Sequence, residues 1–275
     1  MKHSPRNPHF MKHFLVVAAC FFAACTAVQS QGYHLGLTVS PNVSFSDARE
    51  LSHVGTGSQA HFGYGFIFDA LFTDTYAIGT GVNIFYNGGR IAYFESTATA
   101  DGEVINRVEL DHKQQYVEIP LTFKMRTKEI GYSTYYGQFG MGLGLNVRSE
   151  GTRTATPFAA REYISPDSLG AWSFVNAGAT DLALVSLVDQ TLLFRPSMII
   201  GLGFERRFTG TTALAVGLRY NMALRNQYQA FPVYQTRTGD EVIFEFDDEA
   251  GIELPVAGEM KGKTGQIELC VGVMF

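Results

Sequence analysis

Apolar and polar residues alternate along this chain with a period of two. Tyr33, Leu35, Leu37, Val39, Val43 and Phe45 fall on one face, and His34, Gly36, Thr38, Ser40, Asn42 and Ser44 on the other. A side-chain period of two is that of a β-strand with one apolar face. The pattern returns seven times. Further apolar rows run from Phe62 to Phe72, Tyr76 to Tyr86, Val117 to Met125, Tyr135 to Val147, Phe194 to Phe204, Leu214 to Leu224 and Ile267 to Phe275. The linkers alternate in length. Short turns at Thr73–Thr75, Thr127–Gly131 and Arg207–Thr212 alternate with long segments after the first, third, fifth and seventh rows. Short turns at one end and long loops at the other predict an eight-stranded antiparallel up-and-down barrel spanning an outer membrane.

The two faces differ in charge. No acid or base occurs in an apolar row, whereas the opposite rows carry Asp69, Glu118, Lys124, Arg126, Arg195, Glu205, Arg219, Arg225 and Glu268. A charge facing lipid at the midplane costs about 2–4 kcal/mol, so the apolar rows are expected to face lipid and the charged rows a lumen. Glycine is concentrated in the same inward rows, as at Gly63, Gly65, Gly140, Gly142, Gly144, Gly201, Gly203 and Gly217. Small inward residues make a narrow barrel. Aromatics at the row ends predict interfacial girdles: Tyr33, Phe72, Tyr76, Tyr135, Phe204 and Phe275 on the turn side, and Phe45, Phe62, Tyr86 and Tyr228 on the loop side.

Composition supports this reading. Only 17% of the 275 residues are charged against 46% hydrophobic, with 29 Gly, 22 Phe and 13 Tyr, and the net charge is −5. That balance argues against disorder and against nucleic-acid binding. Lys2, Arg6 and Lys12 precede an apolar stretch from Phe14 to Ala27, which predicts a secretory signal over 1–30 and a barrel domain over 31–275. Met11 is an alternative start, and Val17-Ala18-Ala19-Cys20 offers a lipoprotein-type alternative to cleavage after Ser30. Beyond Ser30 only Cys270 remains, which excludes an internal disulfide and a cysteine zinc site.

Three segments resemble a known family. Tyr116–Lys124, Y-V-E-I-P-L-T-F-K, resembles the Y-L-E-I-P-L-L-L-K strand of PorT-like outer-membrane β-barrel proteins. Arg219–Leu224, R-Y-N-M-A-L, is similar to that family's R-Y-x-x-G-L strand, with Ala223 where glycine is frequent, and Gly32–Ser40 looks like its first strand. The resemblance implies an eight-stranded outer-membrane barrel and a link to protein secretion. The C-terminal row Ile267, Leu269, Val271, Val273 and Phe275 resembles the signal read by the barrel assembly machinery.

The inward charges are expected to pair across strands, either plugging and rigidifying the barrel or forming a gated proton or ion path. A lipid-modifying hydrolase is a further alternative. Of the histidines past residue 30 (His34, His53, His61 and His112), His53 and His61 lie near Ser52 and Ser58, but no nucleophile motif surrounds them and they read as solvated loop residues. No catalytic set, metal-ligand spacing or cofactor fingerprint is present. The second loop, Asn87–Gln115, reads as strands continuing outward around Ala100–Glu103. The fourth reads the same way around Thr238–Asp240, and is acidic. Its Asp247, Asp248 and Glu249 lack calcium-loop spacing and read as solvated surface. The third, Arg148–Leu192, holds Trp172, and its apolar stretch Leu182–Val188 reads as a short capping helix or a partner-docking element. The function favoured is non-enzymatic: an outer-membrane structural or interaction protein, in contact with lipid, presenting loops 2 to 4 to a protein partner.

Overall fold

The computed structural model describes residues 32–48, 51, 53–165, 168–175, 181–187, 190–229, 231–237, 239–248 and 251–275. The expected signal segment with Cys20 and Cys25, and also Ser52 and Glu249, lie outside the described residues. Eight long strands form the wall: β1 (Gly32–Ala48), β2 (Val54–Leu71), β3 (Tyr76–Ala98), β4 (Gly102–Arg126), β5 (Ser133–Ser165), β6 (Phe194–Thr209), β7 (Thr212–Ala223) and β8 (Gly262–Met274). Each pairs antiparallel with its neighbours. The ring closes where β8 returns to β1, from Gly36↔Met274 to Ala48↔Gly262. Closure leaves no unpaired edge within the bilayer, where an unsatisfied backbone amide has no water to turn to. Among the described residues no helix is long and apolar enough to cross a membrane; the crossing is made by strands.

The apolar rows face outward. Leu37, Val39, Tyr64, Leu121, Phe139, Leu143, Ile200, Leu218 and Leu269 are all exposed, while their neighbours Thr38, Ser40, Glu118, Ser197, Arg219 and Glu268 are buried. Aromatic rings meet across strands on the lipid face: Tyr76 stacks on Phe123 at 5.7 Å between centroids, and Phe123 makes a tilted contact with Phe139 at 5.6 Å. The five residues of the C-terminal row lie on this face, four of them on β8 and Phe275 just past its end. Inside, Gly140 is required because a Cβ there would collide with the backbone carbonyl of Leu121 on the neighbouring strand.

β3, β4 and β5 run far beyond the bilayer, and here the faces exchange polarity, on β3 and β4 with the strand parity kept and on β5 across a one-residue bulge at Val147. On β4 the inward row passes from Lys124, Thr122 and Glu118 to Tyr116, then Gln114, His112, Leu110 and Val108. The outward row passes from Met125, Leu121 and Ile119 to Lys113, Asp111, Glu109 and Arg107. On β3 the change falls at Asn87–Arg90, above Tyr86. Below this level the wall is apolar outside. Above it the wall is apolar inside, as a water-exposed β-structure requires. The resulting outer chamber has two apolar clusters. One holds Ile91, Tyr93, Val108, Leu110, Leu187, Tyr228 and Met260. The other holds Phe94, Ile105, Ala159 and Val242, with Trp172 and Phe244 against them.

The long segments are β-structure. As expected, β3 and β4 continue outward to a turn at Thr99–Asp101, and Thr236–Arg237 pairs with Glu241–Val242 around Gly239, whose φ is +83°. Pro232–Tyr234 joins the wall beside β3 and pairs with Ala257–Glu259. The third loop differs from expectation. Arg148–Ser165 continues β5, and Asp181–Ser186 is a strand on its edge, from Glu150↔Ser186 to Ala155↔Asp181, not a helix. Its apolar stretch has a period of two: Leu182 and Leu184 are exposed while Ala183 and Val185 are partly covered.

Candidate functional site

Eight of the nine expected inward charges lie in the lumen, in layers. Nearest the short turns, the Lys124 ammonium contacts Asp69, stands 3.7 Å from Glu205, and lies 4.6 Å from the centre of the Tyr136 ring. Arg126 pairs with the same Glu205. Higher up, Arg219 donates to Glu268, whose other oxygen accepts from Gln266 at 2.6 Å. Gln266 in turn accepts from Asn87 at 3.0 Å. In the third layer Glu118 accepts from Ser197 at 2.8 Å and from Asn221 at 3.0 Å, with Arg195 at 3.6 Å. Arg195 also donates to the Asn221 carbonyl oxygen at 3.0 Å.

The exception is Arg225. β7 ends at Ala223, and Arg225 sits in the bend beyond it, exposed to solvent. Its removal from the set leaves four acids (Asp69, Glu118, Glu205, Glu268) and four bases (Lys124, Arg126, Arg195, Arg219), a neutral lumen. Neutrality is the favourable arrangement where ionic groups are withdrawn from water and must compensate one another.

Two aromatic residues that the alternation assigned to neither a girdle nor a charge row complete the filling. Phe85 and Tyr116 are buried in the lumen and stack at 5.8 Å. The Arg195 guanidinium lies 5.7 Å from the Phe85 ring centre and 5.3 Å from that of Tyr116, a cation–π arrangement. Free space lies below this layer. A cavity of about 200 Å³ opens at the turn end beside His34, Arg126, Glu129, Tyr132 and Arg207. A smaller one of about 50 Å³ sits among Asp69, Lys124, Tyr136, Glu205 and Arg219.

Above the aromatic layer, at the floor of the outer chamber, sits a buried histidine. His112 Nε2 is 2.8 Å from the Tyr228 hydroxyl and 3.4 Å from Ser46 Oγ. Tyr228, expected in the outer girdle, is thus inside the chamber, and its ring meets that of His112 edge-on. His53, expected to be solvated, is also buried, beside Gly262 and Tyr228, and His61 is half-buried. The signal for this burial was present in the inward parity of His112 on β4, two residues from Gln114 and Leu110.

Burial pushes the His112 imidazole down to about 4; Asp111 opposes this, and His61 and His53 add to it. The folded value lies below the ordinary 6.5, so the unfolded chain binds the proton more readily. The stabilisation is complete above about pH 6.5 and is lost as pH falls toward 4. Acidification through that window is expected to loosen the outer chamber while the transmembrane ring persists. The fluorescence of the single Trp172, which packs in the chamber against Phe244, and amide exchange at Val108–His112 measure it. His112→Gln should flatten the transition, and an unchanged profile in that variant would exclude His112 as its origin.

A closed ring of eight strands, an apolar outer face and an ion-paired lumen define a transmembrane β-barrel of the bacterial outer membrane. The chain belongs to the outer membrane protein beta-barrel domain family, whose model matches residues 29–229. Among solved structures it is similar to Neisserial surface protein A at 11% identity, covering 86% of this chain and 95% of that one, with a TM-score of 0.32. It is similar to Ail, the attachment invasion locus protein of Yersinia pestis, in complex with a heparin analogue, at 13% identity, covering 89% and 100%, with a TM-score of 0.32. The outer membrane protein OprG of Pseudomonas aeruginosa is similar at 11% identity, covering 88% and 95%, with a TM-score of 0.39. A search of curated proteins finds no match.

Proposed function

We propose that this protein is a non-enzymatic component of the outer membrane that presents the β-structure of loops 2 to 4 to a protein partner. The observation that carries the reading is the outer chamber. β3, β4 and β5 rise above the bilayer around an apolar core of their own, and Tyr93, Phe94, Val108 and Ile105 anchor the loops to it. A structured platform loses little conformational entropy on binding, which favours recognition. The apolar tip residues Ile164 and Phe174 are exposed on it. The PorT-like strand motifs make protein secretion the process in which to look for the partner. The outward row Ile267, Leu269, Val271, Val273 and Phe275 is the proposed contact for the barrel assembly machinery. The ion-paired lumen serves as a rigid plug in this reading.

Photo-crosslinking residues placed at Ile164 and Phe174 test it in intact cells. They are expected to capture one stoichiometric protein, whereas a crosslinker at Tyr33, on the turn side, should not. Equal labelling at all three positions would remove the proposal. Planar-bilayer recordings are expected to show no steady current; a current altered by Lys124→Gln would favour the channel reading instead.

A further inference from the structure

Charge is not distributed evenly along the outer boundary of the membrane. On five of the eight strands the first described outward-facing or exposed charge, going outward from the bilayer, is Arg90 on β3, Lys113 on β4, Arg148 on β5, Arg225 just past β7 and Lys263 on β8; β2 and β6 have none, and on β1 Asp47 pairs opposite Lys263. All five are basic. Along β4 and β5 the next outward-facing charges are the acids Asp111 and Glu150, which share rungs with the neighbouring cations: Asp111 lies opposite Arg90 and 3.0 Å from its Nε, and Glu150 lies opposite Lys113. On the β4 and β5 side of this collar the charge nearest the lipid belt is therefore basic.

The collar is built most fully between β4 and β5. The pairing shifts register between Gln115 and Tyr116, so that Tyr116 meets Asn146 and Gln115 meets Arg148, leaving Val147 as an extra residue. A bulge of this kind re-aims side chains. Here it turns two successive residues outward, Val147 into the lipid belt and Arg148 onto its rim, both well exposed. Lys113 reaches down toward the bilayer, with its ammonium 4.2 Å from the centre of the Tyr86 girdle ring. Arg148 is held at one edge by Glu150, Nε to Oε1 at 2.7 Å, which leaves its other donors free to take a second acceptor. Beside these two cations runs a groove of about 560 Å³, lined also by Asp111, Glu150, Thr152 and Ser186, with Leu184 and Val185 as an apolar wall. Leu184 is 89% exposed.

We propose that this groove binds the phosphorylated headgroup of an outer-leaflet lipid. Lys113 and Arg148 take the phosphate oxygens, the hydroxyl of Thr152 or Ser186 donates to the headgroup, and Leu184 covers its uncharged part. Position selects a lipid over a free anion: the cations stand on the rim of the lipid-facing belt, where headgroup phosphates lie and where a charge in the apolar belt would not be tolerated.

The test uses the mature chain folded in a neutral detergent, titrated with bis-phosphorylated lipid A and followed by native mass spectrometry. Lipid A is expected to be retained and its fully dephosphorylated form lost at the same concentration. The double variant Lys113→Gln/Arg148→Gln should weaken retention roughly twenty-five-fold, about fivefold per cation. Arg206→Gln/Arg207→Gln, at the opposite end of the barrel, should retain it as the parent does. Leu184→Glu, which removes no cation and places an acid in the groove, provides a second arm if the double variant fails to fold, as judged by its heat-dependent gel mobility. Equal retention of the two lipids overturns the proposal, as does a folded Leu184→Glu or double variant that binds lipid A as the parent does. Displacement of lipid A by millimolar inorganic phosphate would assign the groove to a free anion and overturn it as well.

Discussion

Glu268→Leu is expected to destabilise the folded barrel by about 3–5 kcal/mol, because it strands the Arg219 guanidinium in the lumen without its carboxylate. Arg219 is buried and has Glu268 as its ion-pair partner, and Glu268 is fully buried with Gln266 on its other oxygen. Arg219→Met alone should cost a similar amount, by stranding the carboxylate. The double variant Arg219→Met/Glu268→Leu is expected to recover most of the loss, since the desolvation of both charges disappears together. Urea titration in lipid vesicles, followed by far-ultraviolet circular dichroism and by gel mobility without boiling, gives the three values. If the double variant lost the sum of the two single losses, the lumen pairs would not be coupled, and the ion-paired plug would have to be abandoned. The same logic predicts a smaller effect at Arg126, which shares Glu205 with Lys124 and so leaves an acid that is still compensated.

The second large effect tests the exchange of polarity between the two halves of the wall. Leu143→Arg places a cation on the lipid face of β5, where Leu143 is half exposed between Met141 and Leu145, and should cost about 2–4 kcal/mol. Thr152→Arg, on the same strand but above Arg148 and Glu150, where Thr152 is half-buried on the water-facing side, is expected to change stability by less than about 0.5 kcal/mol, as a surface substitution in water does. Val108→Asp completes the set. On the outward row of the membrane-spanning half an acid is intolerable, and here it is intolerable on the inward row, where Val108 is fully buried in the chamber core. Its expected result is a chamber that is degraded by added protease while the membrane-embedded ring remains protected. A Thr152→Arg penalty equal to that of Leu143→Arg would place the membrane boundary above residue 152 and contradict the chamber.

These expectations separate what was legible in the sequence from what was not. The alternation, the absence of charge from eight apolar rows and the alternating linker lengths predict the number of strands, their order and their inside–outside sense. All are local: each follows from residues two apart or from the distance between neighbouring rows. Eight of the nine inward charges follow from the same parity. Arg225 departs because parity holds only while the strand lasts, and β7 ends two residues earlier. Phe85 and Tyr116 were passed over because an apolar residue on an inward position breaks the binary pattern. That break marks the layer where the lumen is closed.

The outer chamber needed the tertiary structure. Ile91, Tyr93, Val108 and Leu110 keep the parity of the lumen row, but the alternation carries no information about which solvent surrounds a strand. The polarity of the two faces exchanges only because the strand leaves lipid for water. Asp181–Ser186 became a strand through pairing with Glu150–Ala155, some thirty residues away, and Tyr228 and His112 meet across more than a hundred residues. The sequence by itself determined which residues face lipid and how the chain crosses it, because in a bilayer every backbone group must pair and every outward charge is costly. Only the tertiary structure decided which charges compensate one another, where the lumen closes and what the loops build, because those outcomes depend on contacts between residues far apart in the chain.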